Sequence, residues 1–93
     1  MSKYENNVLA EPMDAIILLS DNYTQYGLKQ GYIGVVVDNF IQNNGCVLAD
    51  FFNPFTGDDI AVQVSIGKDD FRVLSDSADD RRKVKSFKDL FKK

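Results

Sequence analysis

The chain contains no histidine and no tryptophan, one cysteine, two prolines and no long apolar run. Without histidine it lacks the commonest general base near neutral pH and the commonest zinc ligand. Ser–His and Cys–His nucleophile arrangements are excluded with it. Cys46 has no second thiol with which to form an intramolecular disulfide, which suits a reducing compartment. Lacking an activating imidazole, it reads as a small buried strand residue rather than a nucleophile. Zinc held by one cysteine and no histidine is implausible, and no metal site is expected. No apolar stretch reaches the roughly 18 residues needed to cross a bilayer. The opening MSKYENNVLAEP lacks the charged-then-apolar order of a secretory signal. The expectation is a soluble, cytoplasmic, non-enzymatic protein without a cofactor.

Ninety-three residues allow one domain, spanning 1–93. A chain of this size buries only about 60 to 65% of the surface it would expose unfolded. The hydrophobic share of 44%, with seven Phe and four Tyr, is ample for a globular core. Charge is scarce in one sign over most of the length. Residues 1–80 carry 13 acidic and 4 basic side chains, or −9, while residues 81–93 carry 1 and 7, or +6. An acidic body is a poor surface for nucleic-acid phosphates, whose affinity comes largely from Lys and Arg releasing counterions. It suits a basic protein partner better.

Residues 1–12 read as a loose polar lead-in ending at Pro12, which biases Glu11 to an extended conformation. Residues 13–74 carry the β signals. MDAIILL (13–19) is a first strand without alternation, which implies burial on both faces. Residues 20–31 form a connection near the upper length limit for a loop without its own structure. A second strand is expected over 32–40, then an Asn43-Asn44-Gly45 hairpin turn, because both central residues of a type I′ turn need positive φ. The third strand covers 46–52. In IAVQVSI (60–66), Ile60, Val62, Val64 and Ile66 alternate with Ala61, Gln63 and Ser65, as in a strand with one wet face. FRVL (71–74) supplies a short fifth strand. Five short strands in so short a chain point to a small closed barrel, since closure removes exposed edges. Residues 75–80 (SDSADD) favour a helix start, and an amphipathic helix is expected over 79–91. Its stripe is Val84, Phe87, Leu90 and Phe91.

The glycines at 27, 31 and 34 do not cradle a phosphate. A P-loop requires G-x-x-x-x-G-K-[ST] before a helix, whereas these are spaced four and three apart and run into VVVDNF, a strand sequence. The dinucleotide fingerprint G-x-G-x-x-G also fails. The pattern G-L-K-x-G-x-x-G-x-V following an apolar strand resembles the SH3-like barrels of the KOW type, and small bacterial SH3-like domains of unknown function. The resemblance covers about residues 15–74. It implies a mainly β fold, a five-stranded SH3-like barrel followed by the C-terminal amphipathic helix. It further implies that Leu28 packs beneath the long loop, that Gly31 permits the loop's final turn and that Gly34 lets the strand bend. KOW domains that meet RNA carry basic residues around this loop, where this chain carries only Lys29.

The paired acids Asp58-Asp59, Asp69-Asp70 and Asp79-Asp80 lack the ligand alternation of an EF-hand loop. They read as solvated turn residues, the last two pairs also as helix caps. Tyr23 and Tyr26 in the long loop and Phe51, Phe52 and Phe55 around Asn53-Pro54 are interface-type residues, one of Phe51 and Phe52 being inward by alternation. In SH3-like barrels these two loops often share one groove. The basic tail has three readings: docking on the open end of the barrel, lying on anionic membrane, or binding nucleic acid or a partner. Docking is favoured, because an apolar stripe can supply core and a +6 helix attracts a −9 body. The expected function is an acidic bacterial immunity or antitoxin-type protein, monomeric when free, which covers the active site of a basic toxin such as a nuclease. Its expected contacts are Tyr23, Tyr26, Asp38, Asp50, Phe55, Asp58, Asp59, Asp69 and Asp70. The alternative is a KOW-like nucleic-acid or ribosome accessory contacting phosphate through Arg81, Arg82, Lys83, Lys85 and Lys88.

Overall fold

The computed structural model describes residues 8–92; residues 1–7 of the expected lead-in, and residue 93, lie outside the described residues. The apolar stretch after Pro12 forms β1 (Ala15–Leu18), and the valine run forms β2 (Ile33–Phe40). A helical turn, α1 (Ile41–Asn44), leads to β3 (Cys46–Phe52), then to β4 (Asp59–Gly67) and β5 (Phe71–Val73). Helix α2 (Ala78–Asp89) follows. The strands pair antiparallel in the order β4-β3-β2-β1-β5. This is the mainly β fold expected: a meander whose fifth strand returns to the first, compatible with a small SH3-like barrel.

The connections force the sheet to curl. β4 and β5 occupy opposite edges of five strands, about 19 Å apart if the sheet were flat. Only Lys68, Asp69 and Asp70 join them, folded into a turn in which the Asp70 N–H donates to the Gly67 carbonyl at 2.9 Å. Even fully extended, the link from Gly67 to Phe71 reaches only about 14 Å. The edges must therefore approach each other around one core. That core holds Ile16, Leu18, Leu28, Val36, Val47, Ala49, Phe51, Val64, Ile66 and Phe71. On β3 the period-two pattern is clean, with Val47, Ala49 and Phe51 all inward. Gly34 is required where β2 passes under Phe51. A Cβ there would lie 2.6 Å from the Phe51 ring and 2.7 Å from the Asp50 carbonyl oxygen.

Two local expectations are corrected. Asn43-Asn44-Gly45 is not a two-residue hairpin turn. The chain makes the helical turn α1, which Gly45 ends at φ 71°, its N–H donating to the Ile41 carbonyl at 2.9 Å. Ile41 is buried in the core, and Asn39 Oδ1 accepts its N–H at 2.8 Å, so packing and a side-chain acceptor select the helical turn. β4 does not keep one apolar face. Val64 pairs with Ala49 and Ala61 with Phe51, which leaves Val62 and Gln63 together opposite Asp50. Gln63 takes φ 52°, and this bulge turns Val62 out to solvent. Beside β2, Ala10 is buried, and Asn39 Nδ2 donates to its carbonyl at 2.7 Å.

Helix α2 docks, but on the outer face of the sheet rather than the open end of the barrel. Ile16 and Leu18 point into the core, so Ile17 between them points outward, with Arg72 and Ile33 as its cross-strand neighbours. Phe87 is buried on this side. It meets Tyr32 edge-on at 5.5 Å and Phe91 at 5.2 Å between ring centroids. The ionic tie has the opposite polarity to the one expected, with the acid on the helix. Asp80 is buried, and its two carboxylate oxygens accept the Arg72 guanidinium of β5 at 2.8 and 2.9 Å. It also accepts the Ser75 N–H at 2.7 Å and the Ser75 hydroxyl at 2.8 Å. Ser77 caps the helix by accepting the Asp80 N–H at 3.1 Å. Arg72 first, and then the Ser75 N–H, hold the Asp80 carboxyl far below the usual carboxylate range, against the opposing effect of burial.

Two outcomes follow for stability. Gly34→Ala should cost about 1–3 kcal/mol or more in urea denaturation, since neither the Phe51 ring nor the β3 backbone can yield freely. Asp80→Asn should cost about 2–3 kcal/mol. Because folding lowers the Asp80 pKa, its contribution is complete above about pH 4 and lost as pH falls below that value. The wild type should therefore lose stability in acid more steeply than Asp80→Asn. Equal acid slopes for the two proteins contradict this role.

Candidate protein-binding surface

The long loop, residues 20–31, is an ordered arm. Asp70 of the β4–β5 turn gathers it. Tyr23 donates its hydroxyl to Asp70 Oδ2 at 2.7 Å, while Ser20 Oγ and Asn22 Nδ2 donate to Oδ1 at 3.1 and 3.2 Å. The Tyr23 oxygen in turn accepts the Gly67 N–H at 2.8 Å. Burial pushes the Tyr23 phenol up to about 12, the Gly67 N–H opposing and the Asp70 carboxylate adding to the rise. A short 3₁₀ turn, Thr24–Tyr26, ends at Gly27 with φ 80°, and Leu28 is fully buried beneath the loop. Asp21 Oδ1 accepts the Gln30 N–H at 2.8 Å. Tyr23 and Asp70 are thus joined to each other, and they clamp the loop to the turn that curls the sheet.

Tyr26, at the loop's tip, is half exposed and faces β4. It lines a groove of about 300 Å³ with Ile60, Val62, Gln63 and Ser65. β4 is the last strand of the sheet, and among the described residues it pairs only with β3, so its outer edge has no strand partner there. Asp50 shapes this groove from behind, its Oδ1 accepting the Gln63 N–H at 2.7 Å and satisfying the donor that the bulge takes from the ladder. Val62 is 51% exposed.

The β3–β4 connection presents a second group. Asn53 Oδ1 accepts the N–H groups of Phe55 and Thr56 at 2.8 and 3.2 Å, a side-chain turn that holds Phe55 56% exposed. Phe52, itself partly exposed, lies directly across from Asp59. Asp58 and Asp59 are exposed, and neither makes an ion pair within 4.0 Å among the described residues. Phe55 lies apart from Tyr26. It lines a groove of about 310 Å³ with Asn53, Thr56, Phe91 and Lys92 at the end of the helix. The two sets of aromatics therefore border different grooves.

The remaining sequence-selected residues are scattered. Asp38 is exposed on β2, where its Oδ1 accepts the Asn39 N–H at 2.8 Å, and Asp69 is exposed in the β4–β5 turn. Arg81, Lys83, Lys85 and Lys88 are exposed on α2, and Arg82 pairs with Asp79 at 3.2 Å. Sequence reasoning missed Val62, because regular alternation assigned it inward. It also missed Asp80 as an ion-pair partner, although its place three residues after Ser77 marked a helix start. Among the described residues no three acidic or thiol groups converge as metal ligands, and no helix there is long and apolar enough to cross a membrane. Comparison of the chain with protein-family models, with curated proteins and with solved structures finds no match.

Tyr23→Phe should destabilise the fold by about 1–3 kcal/mol, since the half-buried Gly67 N–H loses its acceptor. Folding raises the Tyr23 pKa from 10.0 to about 12. Its stabilising contribution is therefore complete below pH 10 and disappears as pH rises toward 12. Denaturation midpoints measured across that alkaline window should fall further for the wild type than for Tyr23→Phe. A variant as stable as the wild type at neutral pH rules out the clamp.

Proposed function

We propose that this chain is a non-enzymatic binding module, an acidic SH3-like barrel of the KOW type that works by covering a basic protein. The observation that carries the reading is the composition of the β4 side. Exposed Tyr26 and Val62 border a strand edge that is unpaired among the described residues, and the exposed carboxylates of Asp58 and Asp59 stand at that strand's start with no ion pair to any described residue. Exposed aromatic and aliphatic side chains rimmed by charge are the usual make-up of an interface. Carboxylates free of internal partners attract and orient a basic surface at little desolvation cost until it docks. The chain's lack of histidine is in keeping with a protein that transforms nothing itself.

In its most concrete form this is a bacterial, cytoplasmic immunity or antitoxin-type protein, monomeric when free. Its partner is a basic toxin domain, for example a nuclease, and Asp58 and Asp59 occupy positions that RNA phosphates take in the toxin's active site. Asp38 and Asp69 extend the acidic field, whereas Asp50, Asp70 and Tyr23 act by holding the groove and loop in shape. The test starts from a partner captured by the immobilised chain at low salt. Asp58→Lys with Asp59→Lys should slow its association about tenfold at low ionic strength and flatten the salt dependence of the rate. Tyr26→Ala should instead raise the dissociation rate about tenfold. Association and dissociation rates unchanged by these variants overturn the reading.

A further inference from the structure

Helix α2 carries a line of exposed cations. Arg81, Lys85 and Lys88 follow one another at i, i+4 and i+7, within a narrow arc of the helix surface and over about 10 Å of its length. All three are exposed, and none makes an ion pair within 4.0 Å among the described residues. Asp89 stands one turn from Lys85 without pairing to it, and Asp79 is taken by Arg82. The line points along the helix toward the groove where Lys92, Phe91, Phe55, Asn53 and Thr56 meet. Phe55 is held there with its ring exposed by the Asn53 side-chain turn. The helix itself is locked to the sheet by Arg72–Asp80 and by the Tyr32, Phe87 and Phe91 rings. Cations and aromatic groove are thus presented in a fixed relation.

We propose that this flank is a binding site for single-stranded nucleic acid, with successive phosphates on Arg81, Lys85 and Lys88 and a base in the Phe55 groove. A cationic track that follows the backbone and an exposed ring on which a base stacks are the two elements such sites combine. Lys92 at the groove's mouth neutralises the phosphate nearest the stacked base. Asn53 and Thr56 supply polar atoms at its wall, and the groove volume of about 310 Å³ admits one base. Asp58 stands beside this groove, its N–H donating to Thr56 Oγ1 at 3.2 Å, but the four cations Arg81, Lys85, Lys88 and Lys92 outnumber it and Asp89 along the flank, and charges farther off are screened beyond about 8 Å at physiological salt. The site shares none of these residues with the Tyr26 groove, and oligonucleotide binding reads it separately from the toxin-covering role.

Fluorescence anisotropy with labelled oligo(U) and oligo(dT) of about 8 nucleotides tests it on the full chain. Four phosphate contacts, on Arg81, Lys85, Lys88 and Lys92, predict a salt slope of about −3, so affinity should fall roughly 50-fold between about 50 and 200 mM salt. Lys85→Glu with Lys88→Glu should weaken binding more than about tenfold and flatten that slope. Phe55→Ala should weaken it about 5- to 100-fold with the slope unchanged, and Tyr26→Ala should leave it as it was. All these residues are exposed, and circular dichroism melts matching the wild type check that each variant folds. No binding of either oligonucleotide at low salt overturns the proposal, as does affinity indifferent to the lysine reversals. A Phe55→Ala variant of full affinity, or binding of anionic phospholipid vesicles in place of oligonucleotides, overturns it equally.

Discussion

Two strands at opposite edges of a five-stranded sheet, tied by three residues, set the constraint on which the rest of the structure depends. A flat sheet cannot satisfy so short a link, so curvature is imposed by connectivity before any side chain is considered. Side chains then make the curled form stable. Gly34 lets Phe51 pack against the β2 backbone, and Leu28 fills the core from the long loop. Asp70, within the link itself, accepts hydrogen bonds from three residues of that loop. The loop, the link and the core are therefore one cooperative unit, and the Tyr26 groove inherits its shape from it.

The helix adds a second layer with a different logic. Its apolar stripe covers the outward Ile17 and Tyr32 side of the sheet, and its buried Asp80 reaches back to Arg72 of β5. A buried carboxylate is tolerated only when its charge and lone pairs are met, and here four donors from Arg72 and Ser75 meet them. Docking through an acid leaves the helix's lysines without an ion pair to the body among the described residues. The result is a molecule with two chemically distinct sides: an acidic one along β4 and the β3–β4 turn, and a basic one along α2. Net charge alone, −3, describes neither.

Much of the fold was legible because short β-rich runs bounded by turn residues have few alternatives in so short a chain. β3 was read to the residue, and the other strands to within one or two residues at an end. The failures are places where a local rule met a stronger tertiary demand. Asn44-Gly45 favours a tight hairpin, but burial of Ile41 draws the chain into a helical turn. Regular alternation placed Val62 inward, yet the bulge at Gln63 shifts the phase between Ala61 and Val64. Opposite net charges implied that the helix docks through its cations, whereas one buried aspartate does so instead. Bulk charge acts over screened distances, while a two-pronged guanidinium–carboxylate pair acts at contact.

The sequence by itself determined the mainly β class, the number of strands and their places along the chain, the amphipathic C-terminal helix, the segregation of charge and the want of imidazole chemistry. These depend on composition and short-range periodicity, which a chain carries wherever it folds. Only the tertiary structure decided which carboxylates are committed and which are free. Asp50, Asp70 and Asp80 are engaged in holding the bulge, the loop and the helix, while Asp38, Asp58, Asp59 and Asp69 remain exposed. The physical reason is distance along the chain: the donors that reach Asp70 lie 47 to 50 residues away, and no local pattern records which distant N–H or hydroxyl will arrive beside a given acid.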